Sequence, residues 1–338
     1  MLFWILLLIF LVLNAVGSFA YSVTNTADPA TAWGLFSSVF LYTLGITQTG
    51  AVFAAIMRLT KSGWGKYYSR IGEILTLCFI PVAVIMFIAI YTGGMEHMFY
   101  WAQESYRHGH HHGPAFAWLD ENLFLYRYVI TMPLFYVITY AFFRTGRIEE
   151  RATTPPTPGF TKLRNVLAAF VLITYVIENT NIAWDFGMMI IKHWESSIFP
   201  PYFWSGNLLA SSAFLFIVSR IFIKGDAAKR VDKNYLDAMG KVFIGFALLW
   251  AYMFWSQFIV IWYGDVPERT APLFRTMSGN YFWSFVVMML TLFVIPFISL
   301  IFRKIKLSST GLSWVAVSIC IGVWFNRYLM VVPVFSDA

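Results

Sequence analysis

Charge is what this sequence lacks most. Only 12% of its 338 residues are Asp, Glu, Lys or Arg, 59% are hydrophobic, and the mean hydropathy is +0.66. A soluble domain carries about 25% charged residues, so the composition excludes one and describes an integral membrane protein. Cysteine is scarce as well. Cys78 and Cys320 both sit in apolar runs. No Cys-x-x-Cys or Cys/His spacing accompanies them, which excludes an iron–sulfur cluster or a structural zinc carried by this chain. Histidine is missing from the middle of the apolar runs: His97, His108, His110, His111, His112 and His193 all lie in or beside loops. A haem held within the membrane takes axial ligands, usually His, from inside its helices, so none is expected here. The HGHHH cluster reads either as a solvated loop or as a surface metal site. The first apolar run lacks a basic leader and a small-residue cleavage site, so it reads as a retained helix rather than a signal peptide.

What is present in abundance is long apolar sequence. Nine runs reach the roughly 20 residues that a helix needs to cross a 30 Å hydrocarbon core. They lie near 2–22, 33–58, 71–93, 122–143, 165–186, 203–223, 240–263, 280–302 and 311–333. Barrel strands are about half that length and alternate in polarity, so the expected fold is all-α and polytopic. Most of the 24 Lys and Arg residues fall in alternate loops, after the second, fourth, sixth and eighth spans. That asymmetry, rather than a nucleic-acid partner, accounts for the net charge of +7. The positive-inside rule then places the N-terminus in the cytoplasm and the C-terminus outside. TTPPTPGF (153–160) reads as a proline-rich cytoplasmic linker dividing the chain. The expected organisation is a first helix with its external loop (1–32), a first four-helix bundle (33–152, with 153–164 as linker and the fifth helix completing it) and a second half (165–338). In other terms, this is two four-helix bundles with one flanking helix.

Ionisable groups at membrane depth are expensive and by default mark a site or a relay. Glu178 and Asp185 lie seven apart in the fifth span, on one helix face, with Asn179 and Asn181 beside them. Glu178 falls near mid-depth and Asp185 near the outer surface. Arg127 and Arg327 reach a similar outer depth, so Asp185 pairs with one of them, either as a structural salt bridge or at the edge of a polar pocket. Gln257, Ser256 and Asn326 would extend that pocket. In GITQTG (45–50), Gly45 and Gly50 thin the helix surface and Gln48 is either interhelical glue or part of a head-group pocket or proton path. Glu73 opens the third span at the cytoplasmic interface, as a first-turn charge or as the inner mouth of a proton route. The proton-path candidates are therefore Glu73, Gln48, Glu178 and Asp185. The pocket candidates are Gln48, Asp185, Arg327, Arg127, Gln257 and Trp255, the last from an aromatic run that suits either an interfacial belt or a flat ring.

Two groups of motifs carry a family resemblance. GITQTGAVFAAIMRLTKSGWGKYYSRIGEILTL resembles the second and third helices of NrfD, or polysulfide-reductase-type, membrane subunits. AWDFGMMIIKHWESSIFPPYF, LDAMGKVFIGFALLWAYMFWSQFIVIWYGDVPE, SGNYFW and VWFNRYLMVVP resemble, in order, the NrfD-like subunits of alternative complex III, a quinol:cytochrome c oxidoreductase. The resemblance runs from about residue 33 to 333. Gln48 stands where a His is expected in the quinol-binding (ActC-like) subunit, and IAIYTGGMEHMFYW stands in place of its HLGR motif, so the chain is closer to the ActF-like one. Asp185, Arg327 and Glu73 match family positions. The resemblance implies a bacterial inner-membrane subunit that scaffolds the membrane arm and conducts protons. As alternatives it would bind quinone itself or serve as an anchor. Nothing is bound covalently, and haem c and iron–sulfur clusters belong to partner subunits. A second NrfD-like subunit and a terminal oxidase complete the implied partners. Ten helices are usual, and the shortfall is expected at the C-terminal end.

Overall fold

Four of the long helices begin on side-chain caps that the sequence carries in plain view. The Asp28 carboxylate accepts from the Thr31 amide ahead of Pro29, and that of Asp120 accepts from the Leu123 amide. The hydroxyls of Thr157 and Ser308 accept in the same way from Phe160 and Gly311. Each cap satisfies a donor that the first helical turn leaves free. A computed structural model describes residues 28–103, 118–192, 194–222 and 233–335. Eight helices among them are long and apolar enough to cross a membrane. We number them α1 (Pro29–Leu59), α2 (Tyr68–Met98), α3 (Glu121–Arg151), α4 (Pro158–Met188), α5 (Phe199–Phe222), α6 (Lys233–Gly264), α7 (Gly279–Ile301) and α8 (Ser309–Val334). The protein is an all-α, multi-pass membrane protein. The expected span at 2–22, the HGHHH loop and His193 lie outside the described residues.

Several of these helices are longer than the apolar runs suggest. A 31-residue helix is about 46 Å long, well beyond the 30 Å core. The extra turns carry polar residues past the lipid. The largest revision is at α4, which starts at Pro158 inside the expected linker. Proline at the first helical position loses no hydrogen bond and presets the backbone angle, so it opens this helix rather than preventing it. The true connector is residues 152–157.

α1 is the axis of the molecule. It packs against α2, α4, α5 and α8, while α5 touches α1, α2, α4, α6 and α8. The peripheral α3 leans on α4 and α2, and α7 leans on α8. Polarity runs inside out, as the bilayer requires. Tyr126, Val129, Ile130, Leu134 and Val137 of α3 are exposed, whereas Ser37, Thr47, Gln48, Glu178, Asn179, Asn207, Ser211 and Arg327 are buried. Lipid is as apolar as leucine, so helix association rests on small residues and polar contacts between helices. Three helices are widened by π-helical turns, at Ile90–Gly94, Trp184–Met188 and Leu290–Val294.

Candidate functional site

The centre of the site is the GITQTG turn of α1. Gly45 makes room for the Asn207 side chain, and Gly50 lies against the backbone of Gly72 in α2. Between them Gln48 is fully buried and uses both ends of its amide. Its Nε2 donates to Glu178 Oε1 at 2.8 Å and reaches Tyr136 Oη at 3.4 Å. Its Oε1 accepts from Asn179 Nδ2 at 3.1 Å. From there the polar line leaves α4. Asn207 Nδ2 donates to Asn179 Oδ1 at 3.0 Å, and Arg327 Nη2 donates to Asn207 Oδ1 at 2.9 Å. Arg327 also donates to the Phe203 carbonyl at 2.7 Å and to Asn326 Oδ1 at 3.2 Å, and lies over the Phe203 ring. Asn326 in turn donates to the Tyr202 hydroxyl. Glu178 and Arg327 are thus the two ionisable ends of a run of amides. Among the described residues each keeps one buried atom without a partner, Oε2 of Glu178 and Nε of Arg327.

Asp185 is held differently. It sits in the π-helical turn of α4 and receives four hydrogen bonds. Arg127 grips it with two, Nη2 to Oδ1 at 2.9 Å and Nε to Oδ2 at 3.3 Å. The Tyr128 hydroxyl and the Trp118 indole donate to it at 3.0 Å and 3.1 Å. Arg127 lies over the Trp118 ring and donates to the Trp118 carbonyl. Every lone pair of this carboxylate that geometry allows is engaged. With Arg127 it forms a buried, fully hydrogen-bonded ion pair.

Two buried carboxylates on one helix, one saturated and one half-free, sit inside a bundle of apolar helices. The profile of the NrfD, polysulphide reductase family matches residues 22–336, nearly the whole chain. The chain belongs to the NrfD family. Members of it are integral membrane subunits of redox complexes, partnered by iron–sulfur and other redox subunits. No curated protein matches the chain.

Elsewhere in this NrfD protein the predicted residues separate. Glu73 is buried at the basic end, where Arg70 Nη1 holds it at 2.6 Å and Arg70 Nη2 reaches Glu150 at 2.6 Å. Arg58 and Arg164 close on Glu149 alongside. Together they wall a cleft of about 640 Å³. Glu73 is therefore part of an ion-pair cluster and is not joined by side-chain hydrogen bonds to Gln48. Gln257 borders two cavities near the opposite end. One, of about 80 Å³, is lined by Phe199, Tyr202, Phe254, Phe285 and Asn326, and the other, of about 730 Å³, by Trp118, Trp184 and Arg269. Trp255 lines neither cavity and is 49% exposed on the lipid side of α6. Arg327 does not meet Asp185. Its guanidinium is turned to Asn207, Phe203 and Asn326, while Arg127 of α3 grips the acid.

The polar line and the Asp185 pair also use residues that the sequence motifs do not single out. Asn207, Tyr136, Tyr128 and Tyr202 were all available as polar groups at membrane depth. Asn207 is the clearest omission: an amide in the small-residue run SGNLLASS carries the same signal that singled out Gln48.

Proposed function

We propose that this protein is the membrane-arm subunit of a quinol-oxidising respiratory complex of the alternative complex III type, ActF-like, in which Glu178 carries protons. The observation behind this is the contrast between the two acids. Asp185 spends its lone pairs on four donors, while Glu178 is anchored through Oε1 and its Oε2 has no partner among the described residues. A carboxylate fixed on one side and free on the other can take up and release a proton without dismantling its surroundings. Asp185 cannot. The excess of Lys and Arg in alternate loops supports a cytoplasmic position for Arg58, Arg70 and Arg303 in a bacterial inner membrane, and on this reading the Glu73 cleft faces inward and the Asp185 end outward. Haem c and iron–sulfur clusters would sit on partner subunits, alongside a second NrfD-like subunit and a terminal oxidase.

The test is Glu178→Gln in the complex purified from native membranes, where co-purifying haem-c and iron–sulfur subunits check the partner assignment. Turnover and proton release should fall by about 10²-fold, the usual size of a lost acid–base group, with the subunits still assembled. Unchanged turnover and proton release would remove Glu178 from the route. A second reading has quinone bound by this chain, supported by the aromatic cavity of Phe199, Phe254 and Phe285 beside Gln257 and Asn326. Photolabelling by a quinone analogue at those residues, lost in Gln257→Leu, would favour it.

A further inference from the structure

Glu178 and Arg327 are both fully buried, and neither forms a salt bridge among the described residues. A lone buried charge is costly, and two on different helices require an account. The account lies in the three amides between them. Arginine can only donate, so Asn207 must turn its oxygen to Arg327 and its nitrogen to Asn179. Asn179 must then accept on its oxygen and give its nitrogen to Gln48. Gln48 in turn accepts from Asn179 and donates to Glu178. An obligate donor at one end fixes the orientation of every amide, and all their dipoles point the same way. The positive end of the series meets the carboxylate. Amides are poor proton carriers, so this line does not hand protons along; it transmits charge, each hydrogen bond polarising the next.

We propose that Arg327 is the remote counter-charge of Glu178, coupled to it through Asn207, Asn179 and Gln48. Arg327 is then a positioning residue. Its far side donates to Asn326 and so leads to Tyr202, which line the aromatic cavity. The charge on Glu178 is thereby tied to the geometry of that cavity wall. The coupling deepens the reading of Glu178 as the proton carrier, but its test is independent of turnover.

The measurement is the thermal unfolding midpoint of the full-length protein in detergent, with Glu178→Gln made in two backgrounds. Gln at 178 keeps the acceptor for Gln48 and removes the charge, with an amide nitrogen in place of Oε2, the same in both backgrounds. In the parent, Arg327 loses its counter-charge, and the midpoint should drop by about 3–6 °C. In Asn207→Asp, Arg327 gains a carboxylate in contact and Glu178 becomes surplus, so the same substitution should raise the midpoint. Should Asn207→Asp not fold, Arg327→Met supplies the second background with the same expected reversal. An equal loss in both backgrounds, or a rise or no change in the parent, overturns the coupling. A Glu178→Gln protein with normal turnover but the sign reversal intact would instead sink the proton role and leave the coupling standing.

Discussion

Asp185→Ala is expected to remove nearly all folded protein from the membrane, with Arg127→Met close behind and Tyr128→Phe hardly different from the parent. The ranking follows from what each change leaves in the core. Asp185 is 1% exposed and Arg127 9%, so the pair is largely shielded from water. Without the carboxylate, the guanidinium, the Tyr128 hydroxyl and the Trp118 indole all lose their acceptor together. Removing one partner of a buried ion pair costs about 3–5 kcal/mol, a large share of the 5–15 kcal/mol that holds a protein folded. Asp185→Asn keeps the shape but turns an N–H toward donors, and Arg127 remains unpaired, so it should sit with Asp185→Ala. Tyr128→Phe removes one hydrogen bond of four, worth about 1 kcal/mol. The double change Arg127→Met with Asp185→Leu should recover much of the loss, since no charge is then stranded. Fluorescence-detected size exclusion of the solubilised protein measures the folded fraction. An Asp185→Asn protein as abundant and stable as the parent would show that the pair is not what closes this end of α3 and α4.

That Asp185 needed a cation was legible in the sequence, and which cation was not. Depth along the membrane normal follows from position in a helix, and it put Arg127 and Arg327 at the same level. Choosing between them needs to know which helices are neighbours, and nothing in an apolar run encodes that. GITQTG shows the opposite situation. Its glycines and its glutamine were read as alternatives, packing against polar function, yet the structure uses both at once: Gly45 is small so that Asn207 can reach the amide line that ends on Gln48. The eight described helices were recoverable because an apolar run of 20 residues has few other fates. Their ends were less so, since the turns beyond the lipid are polar and look like loop. Pro158 misled for a local reason, as proline breaks a helix interior but suits its first turn.

Gly50→Val and Gly72→Val should be as damaging as the loss of Asp185, through contacts that involve no charge at all. A Cβ on Gly50 would lie 2.6 Å from the Gly72 carbonyl oxygen, and one on Gly72 would collide with the Gly50 backbone in return. Both obstacles are main chain, so neither can swing aside as a side chain does. The helices would have to part. One turn along from that contact, Thr76 places its hydroxyl inside the hydrogen-bond ladder of α1. It accepts from the Ala51 amide at 2.9 Å and donates to the Thr47 carbonyl at 2.6 Å, standing in for the bond those two would otherwise make. Moving α2 away breaks this interhelical bridge and takes the Thr76 hydroxyl from both of its α1 partners, at about 1 kcal/mol for each hydrogen bond lost. Overpacking alone costs about 1–3 kcal/mol, and the lost bridge adds to it. Glu73 follows Gly72 directly, so a surviving fraction would also carry a displaced Arg70–Glu73 pair. Gly245→Ala in α6 is the control. A Cβ there meets nothing within 4 Å, and replacing glycine inside a helix gains about 1 kcal/mol, so its unfolding midpoint should match or exceed the parent's. If Gly50→Val tolerated heating as well as Gly245→Ala does, α1 and α2 would not be in backbone contact, and the position of Gln48 between Glu178 and Asn179 would lose its support.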